Sequence, residues 1–263
     1  MPRARESLRA HLSAIDAEAA AERAAASGPD RGPVVACVIG TFALVFMEYV
    51  DERVLIDWLA THLPSLYLPR FHALLELAAW VFVRLIGFVL FPVIAIRALL
   101  GTRVRDHGLA PARLGDLGAY LLLFAAVLPA VLLAARRPEF AAYYPFYKLA
   151  HASWLDLVAW ELLYAAHFAG LEFFFRGFWL TACRRTFGSH ALLVSAVPYC
   201  MIHFTKPVIE VIAALPAGLV LGLLAMRARS IWGGVLLHVA VAWLMDALAL
   251  MQGAGLPRRV VPW

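Results

Sequence analysis

The chain has 263 residues, of which 63% are hydrophobic and only 16% carry a charge. A soluble domain of this size has no interior large enough to bury so much apolar surface, so the composition excludes an ordinary soluble fold. The net charge of +5 at pH 7 fits basic residues beside anionic lipid headgroups, and no basic patch indicates nucleic-acid binding.

The first 32 residues form a polar N-terminal tail rich in Ala, Arg and Glu. Leu8, Leu12 and Ile15 follow one another at helical spacing, which indicates an amphipathic helix on the membrane surface. A solvated, partly disordered tail is the alternative. The first apolar run starts only after Pro33 and has no small-residue cleavage site, so we expect an uncleaved anchor.

Runs of about 18 or more mostly apolar residues have the length that crosses a hydrocarbon core of about 30 Å. They predict an all-α, polytopic transmembrane bundle of about seven helices, with a range of six to eight. The run over residues 72–100 is too long for one upright span and contains Pro92, so it forms either one tilted, kinked helix or two shorter elements. The predicted helices begin near Val34, His72, Leu117, Trp154, Ala191, Val208 and Ile231.

Four regions follow from this division of the chain. The tail and the segments after the second, fourth and sixth runs lie on one side of the predicted membrane. They contain more Arg and Lys than the segments on the opposite side, which places the N-terminus in the cytoplasm. The Ala-, Arg- and Leu-heavy composition is typical of a GC-rich genome, so we expect a bacterial inner membrane. The regions are the tail 1–32, the N-terminal transmembrane helices 33–149, the motif-bearing helices 150–252 and the C-terminal tail 253–263.

An ionisable side chain inside a membrane helix is costly, so each one is a candidate functional residue. Glu172 and Arg176 are four residues apart, share one helical face and are expected to pair. Glu161, eleven residues before Glu172, returns almost to the same face. The run over residues 154–185, expected to be helical throughout, carries Asp156, Glu161, His167, Glu172 and Arg176.

Two later runs contribute one histidine each. His203 follows Tyr199 by four residues and should share its helical stripe, whereas His238 is followed two turns later by Asp246. A single histidine is more often a hydrogen-bonded structural residue than a catalyst. Because lipid-facing positions would leave such groups unpaired, we expect both histidines to meet the preceding carboxylate and arginine in one water-accessible cavity open to the cytoplasm.

This set of side chains suits the hydrolysis of an amide. A carboxylate with a nearby imidazole activates water, and a second imidazole donates to the developing oxyanion. Glu172, His203 and His238 are also the ligand types of a catalytic zinc site with one open position. No His-Glu-x-x-His spacing supports that site, so we expect hydrolysis without a cofactor and keep zinc as the alternative.

Three motifs of this half resemble those of the CPBP intramembrane proteases, which include eukaryotic CAAX prenyl endopeptidases and bacterial bacteriocin-processing and immunity proteins. The family pattern Glu-Glu-x-x-x-Arg resembles LEFFFR at 171–176, Phe-x-x-x-His resembles YCMIH at 199–203, and His-x-x-x-Asn/Asp resembles HVAVA at 238–242. The resemblance covers roughly residues 150–250. It implies a glutamic-type peptidase in which a glutamate and a histidine hold water and the last pair supports the oxyanion.

The chain departs from the family pattern at two positions. Leu171 replaces the first glutamate, which is usually assigned as the base, and Ala242 replaces the last Asn or Asp. The resemblance therefore implies a shift of roles: Glu172 becomes the base, Glu161 supplies a second carboxylate, and Asp246 substitutes for Ala242 one turn later.

The sequence leads to an intramembrane endopeptidase whose partners are membrane lipids and a membrane-associated protein or peptide substrate, with no nucleic acid. A catalytically inactive CPBP-fold scaffold or immunity protein is the main alternative, because it explains Leu171 without compensation. A small-solute transporter would also bury Glu, Arg and His. Many transporter folds show two related halves, whereas the polar cluster here is confined to one half.

Overall fold

A computed structural model describes residues 2–65 and 67–262. Within these ranges the chain is helical and has no strand, apart from an isolated bridge between Leu109 and Ser230. The predicted all-α class is confirmed. The α-helices are α1 Pro2–Ala25, α2 Gly32–Tyr49, α3 Arg53–His62, α4 His72–Leu85, α5 Phe91–Ala95, α6 Leu114–Ala134, α7 Pro138–Tyr143, α8 Trp154–Glu172, α9 Leu180–Phe187, α10 Ala191–Met201, α11 Val208–Ala228 and α12 Trp232–Gln252.

Six helical segments of the described residues are long and apolar enough to cross a membrane. The predicted range of six to eight is confirmed, because the runs expected at Trp154 and Ala191 fall within one 48-residue segment. Length and apolar composition define these spans. They are Gly32–Tyr49, Pro69–Leu100, Leu114–Ala134, Trp154–Met201, Val208–Ala228 and Trp232–Gln252.

The long second span is one continuous helical segment with two wider turns. π-Helical turns cover Ile86–Leu90 and Ile96–Leu100, on either side of the short helix α5. Pro92 lies in α5 and cannot donate the backbone hydrogen bond of a regular α-helix, so the widened turn before it accommodates the break. The segment ends at Gly101, whose left-handed backbone (φ 66°) a glycine adopts without strain.

The described residues form two compact units. Unit 1 contains residues 2–43, 91–112 and 172–231, and unit 2 contains residues 44–65, 67–90, 113–171 and 232–262. Each unit therefore combines segments from the predicted N-terminal and C-terminal regions.

Helix α1, in unit 1, contains most of the polar tail. It packs against α9 and the turn after it, with Ile15 and Ala19 buried. Asp16 accepts a hydrogen bond of 2.7 Å from the backbone N–H of Ser189, and Arg23 donates one of 2.6 Å to the carbonyl oxygen of Arg185. Of the two alternatives for the tail, the structure contains the helix.

In unit 2 the beginning of α8 is fixed by side-chain and backbone hydrogen bonds. Ser153 accepts a bond of 3.1 Å from the backbone N–H of Asp156 and donates one of 2.6 Å to its carboxylate, as in a helix cap. Tyr147 and Arg70 also donate to that carboxylate, at 2.8 and 3.3 Å. Asp156, one of the five ionisable residues of this run, therefore stabilises the start of the helix.

Candidate functional site

Glu172 and Arg176 form the ion pair that their four-residue spacing predicts. Arg176 Nη1 lies 3.2 Å from Glu172 Oε1, and the side chains are 1% and 0% exposed. Two buried opposite charges compensate each other, which lowers the cost of holding either in an apolar span. The pair lies where α8 ends and the next turn begins.

The turn that carries Arg176 is π-helical from Phe173 to Trp179, and all seven of its residues are buried. Residues 154–185 are helical throughout, as expected, but this turn is π-helical instead of α-helical. The turn brings its backbone close to other atoms: a Cβ on Gly177 would lie 2.7 Å from the carbonyl oxygen of His107 and 2.9 Å from the Phe173 ring. A π turn advances the chain differently from an α turn, so a rotation of about 100° per residue does not hold beyond Glu172.

His107 contacts this turn and was not predicted as a site residue. Its Nδ1–H donates to the carbonyl oxygen of Gly177 at 3.2 Å, and its Nε2 accepts from the hydroxyl of Thr102 at 3.0 Å. Burial lowers the pKa of His107, against the opposing effects of the Gly177 carbonyl and Asp106. The histidine lies in a polar loop between apolar runs, where no sequence signal separates it from a solvated residue.

Tyr199 and His203 extend the contacts of the ion pair within unit 1. The Arg176 guanidinium carbon lies 4.0 Å from the centre of the buried Tyr199 ring, a cation–π geometry. The rings of Tyr199 and His203 are 4.8 Å apart, and His203 Nδ1–H donates to the Tyr199 carbonyl oxygen at 2.8 Å. Unit 1 thus links Glu172, Arg176, Tyr199 and His203 through consecutive contacts.

His203 does not lie in a helix, contrary to the shared helical stripe that we expected. Helix α10 ends at Met201, and His203 lies in the turn that follows. Its carbonyl oxygen accepts a 2.8 Å bond from the backbone N–H of Lys206. Pro207 lies directly after this turn and disfavours a helical conformation in the residue before it, so the chain turns before α11 begins at Val208.

Unit 2 holds the other predicted residues, and several of them contact aromatic rings. The His238 ring lies parallel to that of Phe168, with centroids 5.2 Å apart. Trp160 Nε1–H donates to the fully buried carboxylate of Asp246 at 2.8 Å. His167, which also lies in this unit, is buried and stacks on the ring of Trp80 at 4.7 Å. That geometry is typical of a packing role.

Glu161, the candidate second carboxylate, also belongs to unit 2. Its backbone carbonyl accepts a 3.3 Å bond from Trp243, while carboxylate oxygen Oε2 is buried without a hydrogen-bond partner among the described residues. A buried acceptor of this kind is costly unless water or another group reaches it.

The two departures from the family pattern are buried apolar positions. Leu171 is 4% exposed and Ala242 is 5% exposed. Ala242 packs in a cluster with Tyr147, Trp160 and Tyr164. Both positions are therefore enclosed by protein, so neither contributes a polar group of its own to a site.

Residues 152–244 match the family model described as type II CAAX prenyl endopeptidase Rce1-like. This segment is similar to the Rce1-like family. The match confirms the resemblance to the CPBP proteases over the region that carries all three motifs. The six apolar spans of the described residues are those of an integral membrane protein. No curated protein and no solved structure matches the chain.

The limits of the Rce1-like segment separate the candidate residues. Glu161, Glu172, Arg176, His203 and His238 lie inside it, whereas Asp246 and the whole of α1 lie outside. In the parts of the chain that the structure describes, no group of three His, Cys, Asp or Glu side chains is placed to hold a metal ion. Hydrolysis without a cofactor stays a prediction.

Proposed function

We propose that this protein is an intramembrane endopeptidase that cleaves a membrane-associated protein or peptide. The observation that carries the proposal is the buried Glu172–Arg176 ion pair at a π-helical turn within the Rce1-like segment. Charged groups inside a membrane span are expensive and mark functional sites by default. π turns inside α-helices are also frequent at functional sites.

The proposed reaction is attack of water on the scissile amide. Glu172 takes a proton from the water, whose oxygen forms a bond to the carbonyl carbon while the carbonyl oxygen becomes an oxyanion. The C–N bond then breaks, and the proton returns to the leaving amine. Arg176 positions the Glu172 carboxylate through their ion pair, and His203 orients the water. The role of His238 as a donor to the oxyanion rests on the sequence pattern alone.

The remaining parts of the proposal follow from composition and family. We place the protein in a bacterial inner membrane with its N-terminus in the cytoplasm, in contact with membrane lipids. Its chemistry needs no bound cofactor, because a carboxylate and an imidazole suffice to activate water.

A second candidate function, an inactive scaffold or immunity protein, is favoured by one observation. Leu171 and Ala242 are buried apolar residues at the two positions where the family pattern has Glu and Asn or Asp. A fold can be retained after its chemistry is lost, because fold alone does not imply function.

The proposal is tested by comparing membranes from cells that express the full chain or its variants. The new N-termini that proteolysis creates are measured by mass spectrometry. We expect cleavage products from the wild type and from Glu139→Gln, a control at an exposed carboxylate on α7, and none from Glu172→Gln or His203→Ala. Products from Glu172→Gln at the wild-type level would show that this carboxylate is not the base. If the wild type yields no cleavage products, the result would support the second candidate function, an inactive scaffold or immunity protein.

A further inference from the structure

A cavity of about 130 Å³ lies in unit 1 between α1, the π turn, α9 and the end of α11. A single water needs far less space, so the cavity has room for a small polyatomic group. Three arginines line it: Arg176 from the π turn, Arg184 from α9 and Arg229 directly after α11. Glu18 and Asp106 are the acidic residues of its lining.

Arg176 offers a buried donor to this cavity. The side chain is 1% exposed, and its Nη1 faces Glu172 at 3.2 Å. Its other terminal nitrogen, Nη2, has no hydrogen-bond partner within residues 2–65 and 67–262. A buried guanidinium N–H without an acceptor is costly, which indicates that an acceptor from outside the chain completes the site.

The two outer arginines share one carboxylate from α1. Glu18 pairs with Arg184 at 3.2 Å and with Arg229. The second acidic residue of the lining, Asp106, pairs instead with Arg103 at 3.0 Å and with Arg105 at 3.9 Å. Glu22, which does not line the cavity, also pairs with Arg184 at 2.5 Å. Glu18 is therefore the lining carboxylate that pairs with both outer arginines.

We propose that this cavity binds an anionic oxygen group of the phosphate type, and that Glu18 of α1 competes with that group for Arg184 and Arg229. A phosphate presents oxygens on several sides and is recognised by arginine clusters of this kind. Glu18, which is 39% exposed at its side chain, can leave the two arginines without crossing an apolar core.

Two sources offer this chemistry: the headgroup of an anionic lipid, or free phosphate. Arg229 directly follows the apolar span Val208–Ala228, at a depth where headgroups are found, and a basic residue at such a position attracts anionic lipids. Neither Glu172 nor His203 is among the described residues that line the cavity. Arg176 belongs both to the cavity and to the ion pair with Glu172, so the test measures binding of the anion directly and does not use peptidase activity.

The test uses the purified full chain and two probes. Retention of phosphatidylglycerol against phosphatidylcholine is measured by native mass spectrometry from mixed-lipid nanodiscs, and binding of inorganic phosphate by calorimetry in neutral detergent. We expect Glu18→Gln to bind these probes about two- to fivefold more tightly than the wild type does. That factor corresponds to the free energy of a partly exposed ion pair. Arg229→Gln and Arg184→Gln should bind more weakly. Asp16→Asn is the matched control, because it removes another contact of α1 and leaves the arginines paired.

Each outcome decides the proposal. Preferential retention of phosphatidylglycerol with this order of variants supports the lipid source, and binding of inorganic phosphate alone with the same order supports the free anion. No binding of either probe by the wild type and Glu18→Gln overturns the site. If Asp16→Asn and Glu18→Gln raise the affinity for the probe equally, Glu18 does not compete with the anion, because the effect then comes from the loss of α1 packing.

Discussion

Glu172 and Arg176 lie 3.2 Å apart and almost wholly buried, across the first residues of a π-helical turn. Loss of one partner of such a pair leaves an uncompensated charge in an apolar span. Its cost exceeds what the intact pair contributes to stability. Stability and activity should therefore respond differently to single and double substitutions.

Glu172→Gln should lower the free energy of unfolding by about 3–5 kcal/mol, because Arg176 then stays charged without its partner. The double variant Glu172→Gln, Arg176→Gln should recover part of that loss and remain inactive. Both are measured by thermal unfolding in detergent beside the exposed control Glu139→Gln. A single variant as stable as the wild type would contradict the buried pair.

The close approach at Gly177 gives a second prediction. A methyl group there would meet the carbonyl oxygen of His107 and the ring of Phe173, so Gly177→Ala should destabilise the protein by about 1–3 kcal/mol. Gly118→Ala is the matched control, because this glycine of α6 is exposed and its added Cβ meets nothing within 4 Å. The control should be neutral or slightly stabilising, since alanine favours a helix. Equal effects of the two changes would argue against the tight packing of the turn.

His107 predicts a pH dependence of stability. Burial lowers its pKa in the folded protein, so the folded state prefers the neutral ring. The stabilisation is complete above the unfolded-state pKa of about 6.5 and is lost as the pH falls from there towards the lowered folded value.

His107→Gln should therefore flatten the decline of the unfolding midpoint between about pH 7 and pH 5. Glutamine keeps an N–H donor for the Gly177 carbonyl but does not titrate in this range. His62→Gln, which replaces an exposed histidine at the last residue of α3, is the comparison variant. An unchanged slope in His107→Gln would show that this histidine does not govern the acid sensitivity.

The sequence was sufficient for features that depend on local spacing. The spans follow from the length of apolar runs, and the Glu172–Arg176 pair follows from a four-residue separation in a buried helix. The all-α class follows in the same way, because in lipid a helix satisfies its own backbone groups.

Features that depend on distant residues could not be predicted in this way. The contact between His107 and Gly177 joins residues 70 positions apart, and the pair between Glu18 and Arg229 joins residues 211 apart. The π turn also escapes a periodic pattern, because the bulky sequence FFFRGFW suits a buried α-helix as well. Such contacts result from tertiary packing, which overrides local preference.

The cofactor prediction is tested with chelators. Peptidase activity of the purified protein should be unchanged after treatment with a strong zinc chelator, because the proposed base is a carboxylate and needs no Lewis acid. Activity lost to the chelator and restored by zinc would instead assign the motif histidines to a metal.

The strongest test of the catalytic assignment is a substitution at Leu171, the residue that replaces the family's first glutamate. Leu171 is buried and directly precedes Glu172, at the last α-helical position before the pair. Leu171→Glu restores the family pattern at that position. Because it also buries a carboxyl group in an apolar environment, we expect it to lower stability while it preserves or raises peptidase activity. Leu171→Gln is the matched control, since it adds a polar group of similar size without a base.

The companion variants decide which carboxylate acts in the native chain. If Glu172 is the base, Glu172→Gln is inactive and Leu171→Glu in the same chain returns part of the activity, whereas Leu171→Gln does not. Full activity in Glu172→Gln together with an inactive Glu161→Gln would assign the base to Glu161, whose carboxylate already has one buried oxygen without a hydrogen bond among the described residues. If neither substitution changes the cleavage products, the carboxylates serve the fold and the scaffold function stands.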